Sequence, residues 1–322
     1  MKQTNSSLAR LALKIAITIG LMAYLLSKVD VAPVVVQMRA MSPKWAAAAV
    51  LPMVLQLALV SLRWRLVNGL VGANMQLAQV FRLTLIGQFF NQVLPTALGG
   101  DAMRAWLASR EGVPLARAIS GVLCDRALGL MVLAVIVAGT LLLLPQPVAE
   151  RLPAKAAFQA IALLGVCGLV ALFFAGDFIA RLLGRRRVTE SLGKLVQDLR
   201  CVVYSRGPSV AIVALSGAVQ VLFVTTIYLC AQGMSIPLGF GAALLVIPAI
   251  MLVSVIPISF AGWGVREGAM IIGLSLLGIG APQALAISVA FGLLNIVVGL
   301  PGGCLWLLGS APARASFVRS EE

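Results

Sequence analysis

The sequence predicts an all-α integral membrane protein with about six to eight transmembrane helices, two re-entrant hairpins and an inverted-topology repeat. Three observations predict this fold class: the composition, two broken apolar stretches of matching design, and the placement of basic residues. Of the 322 residues, 61% are hydrophobic and 11% are charged, and the mean hydropathy is +1.02. The apolar runs are continuous rather than alternating in polarity, which favours membrane-spanning helices over a β-barrel.

The composition also excludes several classes of function. The chain has no histidine, and its five cysteines show no CxxC spacing, so we expect no histidine-dependent catalytic triad, disulfide framework or zinc site. No Walker A sequence is present, and we expect no cofactor and no metal. The net charge is +14, but the basic residues cluster between apolar runs. This pattern indicates membrane topology and attraction to anionic lipids, rather than nucleic-acid binding.

The unbroken apolar runs predict the ordinary transmembrane spans. The run over residues 15–26 follows basic residues and is followed by a poor cleavage region, and so predicts an uncleaved first helix with a cytoplasmic N-terminus. A second span is predicted over 46–62, with Trp45 and the Arg63-Trp64-Arg65 triplet as interface anchors. Further spans are predicted over residues 118–144, 156–176, 208–232 and 283–308.

Two other apolar stretches are interrupted, and they share one design. Each has a proline, a glycine five residues later and an arginine nine residues after the proline. We predict broken hairpins at about residues 80–117 and 241–281, whose irregular backbone must be buried in protein or line a wet cavity. An alternative is that the segments around 241–258 and 266–281 both cross the membrane fully. The residues that make the breaks are Pro95, Gly99, Gly100, Pro257, Gly262 and Gly264.

Charged side chains follow these breaks or lie in the next apolar run. An ionisable residue at membrane depth is costly and has a specific partner or task. Arginine binds phosphate oxygens bidentately, and the carboxylates could neutralise the arginines, receive an amine or carry a proton. Alternatively, the charges form structural ion pairs, with adjacent acid and base not facing each other on one helix. The candidate residues are Asp101, Arg104, Asp125, Arg126, Arg266 and Glu267.

Residues 177–207 form the longest polar connection, with seven basic residues. Apolar residues recur at helical spacing from Leu192 to Val203, which predicts an amphipathic helix on the cytoplasmic leaflet. Among the uncharged polar residues, Asn91, Gln92 and Asn295 predict either a polar path or interhelical hydrogen bonds.

Basic residues also predict the topology. With both hairpins returning to their own side, sixteen Lys and Arg residues lie inside and five outside, which places both termini in the cytoplasm. Each half then contains two spans, a hairpin and a third span. We therefore predict a single membrane domain, with inverted repeats over 1–150 and 151–322. Residues 114–120 and 282–288 share five of seven identities, which supports the repeat.

These motifs resemble a known family. Gly-Gly-Asp-x-x-Arg at 99–104, Asp125-Arg126 followed by Gly129, and Pro-Ile-Ser-x-x-Gly-x-Gly-x-Arg-Glu-Gly at 257–268 are similar to the membrane domain of lysylphosphatidylglycerol synthases. Stand-alone relatives are called flippase-like proteins, and some resemble proteins found with glycolipid and hopanoid synthesis. The resemblance implies a bacterial inner-membrane protein that moves lipid. Because the chain ends at Glu322 without an aminoacyl transferase domain, we expect that it is not an enzyme that makes lysyl-lipid.

The first hypothesis is therefore a translocase for membrane phospholipids, with the headgroup phosphate held by arginines at the two breaks. The alternatives are a membrane subunit of a lipid-modifying transferase, in which carboxylates act as general bases, and a non-catalytic scaffold for such an enzyme partner.

Overall fold

A computed structural model describes residues 20, 27, 29–94, 99–143, 186–255 and 263–309. Over these ranges the chain forms helices and no strand, which confirms the all-α class. In chain order the helices are α1 (Val31–Ala40), α2 (Pro43–Leu70), α3 (Leu77–Val93), α4 (Gly99–Arg110), α5 (Leu115–Leu143), α6 (Arg186–Tyr204), α7 (Arg206–Gly233), α8 (Phe240–Ser254), α9 (Val265–Ser275) and α10 (Ala281–Gly309).

Four of these helices are long and apolar enough to cross a bilayer. The segments are Pro43–Leu70, Leu115–Thr140, Arg206–Gly233 and Ala281–Gly309. They coincide with the predicted spans at 46–62, 118–144, 208–232 and 283–308, and they confirm the membrane class. The predicted spans at 15–26 and 156–176 lie outside the described residues.

The second span is longer than predicted, and this changes the position of Arg63. From the sequence, the span is predicted to end at residue 62, with Arg63 and Trp64 at the membrane interface. The helix continues to Leu70, and both side chains are buried inside the bundle. The prediction was wrong because no helix breaker follows residue 62. The helix ends only just before Gly72, whose φ of +74° is a conformation that glycine adopts at little cost.

Helices α3 and α4 form an antiparallel hairpin around the first break. Asn91 accepts a hydrogen bond from the Gly100 amide at 2.9 Å, and Arg82, two turns earlier, pairs with Glu111 beyond the end of α4. The helices touch closely, because a Cβ added to Gly100 would lie 2.1 Å from the Gly87 carbonyl oxygen. Gly100 is therefore required for packing. Gly99 lies beside it at the start of α4, and Pro95 lies outside the described residues.

The second break also separates two packed helices, α8 and α9. Gly264 precedes α9 with a φ of +90°, a conformation that other residues rarely adopt. Its amide donates to the Glu267 carboxylate at 2.6 Å, which caps the helix. Pro257 and Gly262 lie outside the described residues.

Helix α6 is amphipathic, as predicted, but its apolar face packs on protein. Val196, Leu199 and Val202 are buried, and α6 contacts α2, α5 and α7. Ser120 of α5 donates a hydrogen bond to Asp198 on the same helix. Because its apolar stripe is already covered by the bundle, α6 is a packed element of the fold rather than a free surface anchor.

Helix α3 lies between two glycine-mediated crossings. On one side it packs against α4 at Gly100, and on the other it packs against α10 at Gly302. A Cβ added to Gly302 would lie 2.0 Å from the Leu85 carbonyl oxygen. Such close backbone approach is typical of membrane helix interfaces. It holds the first hairpin against the last span, while the division into inverted repeats at 1–150 and 151–322 stays a prediction.

Candidate functional site

A cavity of about 370 Å³ lies between α2, α3, α4, α5, α7, α8 and α10. Four of the walls are long apolar spans, each of which contributes one or two polar residues to the lining, so the cavity is a polar space inside the bundle. Its polar and charged lining residues are Gln56, Arg63, Thr84, Gln88, Asn91, Asp101, Arg104, Asp125, Arg126, Gln220, Ser254 and Asn295.

One side of the charged cluster joins α2, α5 and α7. Arg63 donates two hydrogen bonds to Asp125, from Nε to Oδ1 at 2.8 Å and from Nη2 to Oδ2 at 3.2 Å. Its third nitrogen, Nη1, donates to the Ser216 hydroxyl at 3.0 Å. The glycine at 129 makes room for this guanidinium, because a Cβ there would lie 2.9 Å from Nη1. A bidentate arginine–carboxylate pair of this kind fixes both side chains.

The other side of the cluster joins α4 and α5. Asp101 accepts hydrogen bonds from Arg104 on one oxygen and from Arg126 on the other. The guanidinium of Arg104 also lies 3.9 Å from Asp125, and it stacks 4.7 Å from the centre of the Trp64 ring. Four of the sequence-predicted residues, Asp101, Arg104, Asp125 and Arg126, are therefore brought into one network.

The described network has a surplus of positive charge, and Arg126 is its most exposed arginine. Among the described lining residues there are three guanidinium groups and two carboxylates, which leaves a net charge of +1. The side chains of Arg63 and Arg104 are 8% and 6% exposed, whereas that of Arg126 is 39% exposed. Only the Nε of Arg126 is used by Asp101 among the described residues. Its two terminal nitrogens remain able to bind an anion.

The cavity is charged at one end and uncharged, mostly apolar, at the other. Along α2 the lining runs from Met53 and Leu57 to Arg63, and along α5 it runs back from Asp125 to Leu133. Met53 and Leu133 belong to one apolar cluster. Ten residues of helix separate Met53 from Arg63, a rise of about 15 Å. An amphipathic ligand therefore fits the cavity better than a small ion does.

Arg266 and Glu267, also predicted as site residues, lie elsewhere and do not line this cavity. Arg266 donates to Glu267 Oε1 from Nη2 at 2.6 Å, and Ser288 donates to the same oxygen at 3.1 Å. The Arg266 guanidinium lies 4.7 Å from the centre of the Trp263 ring. Phe291 is the link between the two sites, since it lines the cavity and its ring centre is 5.6 Å from the same guanidinium.

The prediction that adjacent acid and base do not face each other is confirmed for Asp125 and Arg126, which bind different partners. It is wrong for Arg266 and Glu267, which bind each other. The reason is local: the Glu267 carboxylate turns back to cap the Gly264 amide in the first helical turn. This brings its second oxygen within reach of the long Arg266 side chain.

Among the described residues, Arg63 and the amides of Gln56 and Gln220 line the site but were not predicted from the sequence. A signal for the α2 pair was present, because Gln56 and Arg63 are seven residues apart and therefore share one helix face. The predicted polar residues Asn91 and Asn295 line the cavity, and Gln88 donates to Asn295 at 3.1 Å across α3 and α10. Gln92 is not part of the lining.

The fold and the cavity define a polytopic helical membrane protein with an arginine-rich polar chamber inside its bundle. Residues 11–303 match the family described as "Lysylphosphatidylglycerol synthase TM region", and the chain belongs to that family. A similar protein is "UPF0104 membrane protein MJ1595" from Methanocaldococcus jannaschii, which is 30% identical over 89 residues. That match covers 27% of this chain and 26% of the relative. The family membership indicates a membrane-lipid-related role.

Proposed function

We propose that the protein translocates a phospholipid, or a related lipid, across the bilayer. The observation that carries this proposal is the surplus guanidinium of Arg126, open to an amphipathic cavity inside the bundle. A phosphate at the charged end would receive charge-assisted hydrogen bonds, which are stronger where water is excluded. The acyl chains would stay in the bilayer beside the apolar end. The headgroup site that we propose lies beside the first hairpin, at Arg126 of α5. Arg266 and Glu267, which the sequence also predicts as headgroup ligands, form an ion pair in the second hairpin.

The two hairpins are part of this proposal as re-entrant elements. Helix α3 has 17 residues and α4 has 12, so their lengths of about 25 Å and 18 Å fall short of a hydrocarbon core of about 30 Å. Both hairpins return on themselves. In each of them, the break is followed by an arginine whose guanidinium lies 4.7 Å from the centre of a tryptophan ring. This local likeness supports two related elements that meet near the middle of the bilayer, as in transporters with inverted repeats.

We further propose a bacterial inner-membrane location with both termini in the cytoplasm, on the basis of the basic residues. Cys201 tests this orientation, because it is exposed on α6 and belongs to the connection assigned to the inside. A membrane-impermeant maleimide should label the protein in inside-out vesicles and should leave it unlabelled in intact cells. Cys201→Ser should lower the vesicle signal, and Cys304→Ser, at the other exposed cysteine among the described residues, provides the comparison. Labelling of Cys201 in intact cells would reverse the proposed topology.

The transport proposal is tested with the purified chain in proteoliposomes. Fluorescent phosphatidylglycerol is placed in both leaflets, and an external reductant then bleaches the outer leaflet. A translocase lets bleaching proceed beyond the outer half, whereas protein-free liposomes stop there. The assay is run with and without a proton gradient and a membrane potential. If bleaching stops at the outer half in every condition and for every lipid supplied, the proposal is wrong, and a subunit or scaffold role takes its place.

A further inference from the structure

We propose that the cavity selects an anionic phospholipid whose headgroup ends in a neutral hydroxyl-bearing group, such as glycerol or a sugar. By the same reasoning it discriminates against headgroups that carry an ammonium group. This inference rests on the proposed transport function and specifies its substrate class. It follows from how the carboxylates, the guanidinium groups and the amides of the cavity are already engaged.

Carboxylates are the natural partners of an ammonium group. The described lining contains two, Asp101 and Asp125, and all four of their oxygens face arginine. Asp101 uses one oxygen for Arg104 and the other for Arg126, while Asp125 uses both for Arg63. The breaks at 95–98 and 256–262 contain no acidic residue. An amine entering the cavity would therefore find no unengaged carboxylate in the described lining.

The net charge of the cavity lining also favours an anionic headgroup. The described lining carries +1, so a headgroup with one phosphodiester charge brings it to neutrality. A zwitterionic headgroup leaves the surplus in place, and a lysylated phosphatidylglycerol headgroup, with a net positive charge, increases it. Like charges a few ångströms apart are strongly disfavoured away from water. The electrostatics thus favour a simple anion over the aminoacylated lipid that the family description suggests.

Two uncharged amide groups of the lining remain available to a ligand. The side-chain amides of Gln56 and Gln220 line the cavity, and neither makes a hydrogen bond within the described part of the chain. Gln56 lies two helical turns from Arg63, and Gln220 lies one turn from Ser216, which binds that arginine. These separations correspond to about 10 Å and 6 Å along the helices. An amide both donates and accepts, which matches a hydroxyl group.

Different groups of the cavity would therefore bind different parts of the headgroup. Arg126 would receive the phosphate oxygens, and the amides would receive the hydroxyls of the terminal group. The apolar residues beyond them offer no further charge.

The experiment compares three lipids in the same proteoliposomes: phosphatidylglycerol, phosphatidylethanolamine and lysylphosphatidylglycerol. The wild-type protein should move phosphatidylglycerol fastest. Gln220→Glu adds an unengaged carboxylate of nearly the same size, and should lower the ratio of phosphatidylglycerol to lysylphosphatidylglycerol transport by about tenfold, equivalent to about 1.4 kcal/mol. Because the readout is a ratio within one preparation, it does not depend on how much of the variant folds.

The matched control is Gln197→Glu, which makes the same substitution at an exposed position of α6 outside the cavity. It should leave the ratio unchanged. Gln220→Leu should slow phosphatidylglycerol specifically, because it removes the hydroxyl partner without adding charge. Equal or faster wild-type transport of lysylphosphatidylglycerol or phosphatidylethanolamine would overturn the inference while leaving transport itself established. An unchanged ratio in Gln220→Glu would also overturn it, and no movement of any lipid would overturn the transport proposal.

Discussion

Arg126→Ala should reduce lipid transport by about 10- to 100-fold while leaving the protein folded. Hydrogen bonds to a charged group contribute about 1.5–3 kcal/mol, and each 1.4 kcal/mol corresponds to a factor of ten. The fold should tolerate the change, since the Arg126 side chain is 39% exposed and Asp101 keeps its bond to Arg104. Arg126→Lys should give an intermediate rate, because lysine retains the charge but not the bidentate geometry. Initial bleaching rates and thermal unfolding are measured on the same preparations.

Arg82→Ala is the matched control for this prediction. Arg82 lies on α3 and also makes an ion pair, with Glu111, but it is 48% exposed and does not line the cavity. Its loss should leave the transport rate near that of the wild type. If Arg126→Ala transports lipid as fast as Arg82→Ala does, Arg126 does not hold the headgroup.

Asp125→Ala should have the largest effect on stability, with a loss of about 3–5 kcal/mol, because it leaves a buried charge without its partner. The Asp125 side chain is 1% exposed, and Arg63, which it binds through both oxygens, is 8% exposed. Removing the carboxylate also withdraws one of the charges beside Arg104. The melting temperature in detergent and the yield of monodisperse protein report the loss.

A double variant distinguishes the destabilisation caused by an unpaired Arg63 from the contribution of the ion pair itself to stability. Asp125→Leu with Arg63→Met replaces both ions by apolar side chains, and such replacements are often neutral or stabilising. The double variant should therefore unfold at a higher temperature than Asp125→Ala. A double variant no more stable than Asp125→Ala would show that the loss comes from packing around residue 125 rather than from an unpaired Arg63. Glu111→Ala, at the partly exposed pair with Arg82, should cost no more than about 1 kcal/mol.

Much of the fold follows from local features of the chain. All four spans were predicted, three of them within a few residues at both ends, since a bilayer requires long continuous apolar helices and the sequence supplies them. The interruptions in the two broken stretches were also predictable, because proline and paired glycines disfavour a continuing helix. The position of Arg63 was predicted wrongly from the same local features. Its charge at the end of an apolar run suggested the membrane interface, although no residue there stops the helix.

The sequence by itself determined that this protein is a helical membrane protein, that two of its apolar elements are broken, and that charges follow each break. It could not determine which charges meet. Asp125 binds an arginine 62 positions away, Asp101 joins two arginines on different helices, and Arg266 binds its own neighbour. These partnerships were decided only by the tertiary structure. The reason is physical: a buried charge is stabilised by whichever opposite charge the packing brings within hydrogen-bonding distance, and that packing depends on close helix crossings, at glycines such as Gly100 and Gly302, between segments far apart in sequence.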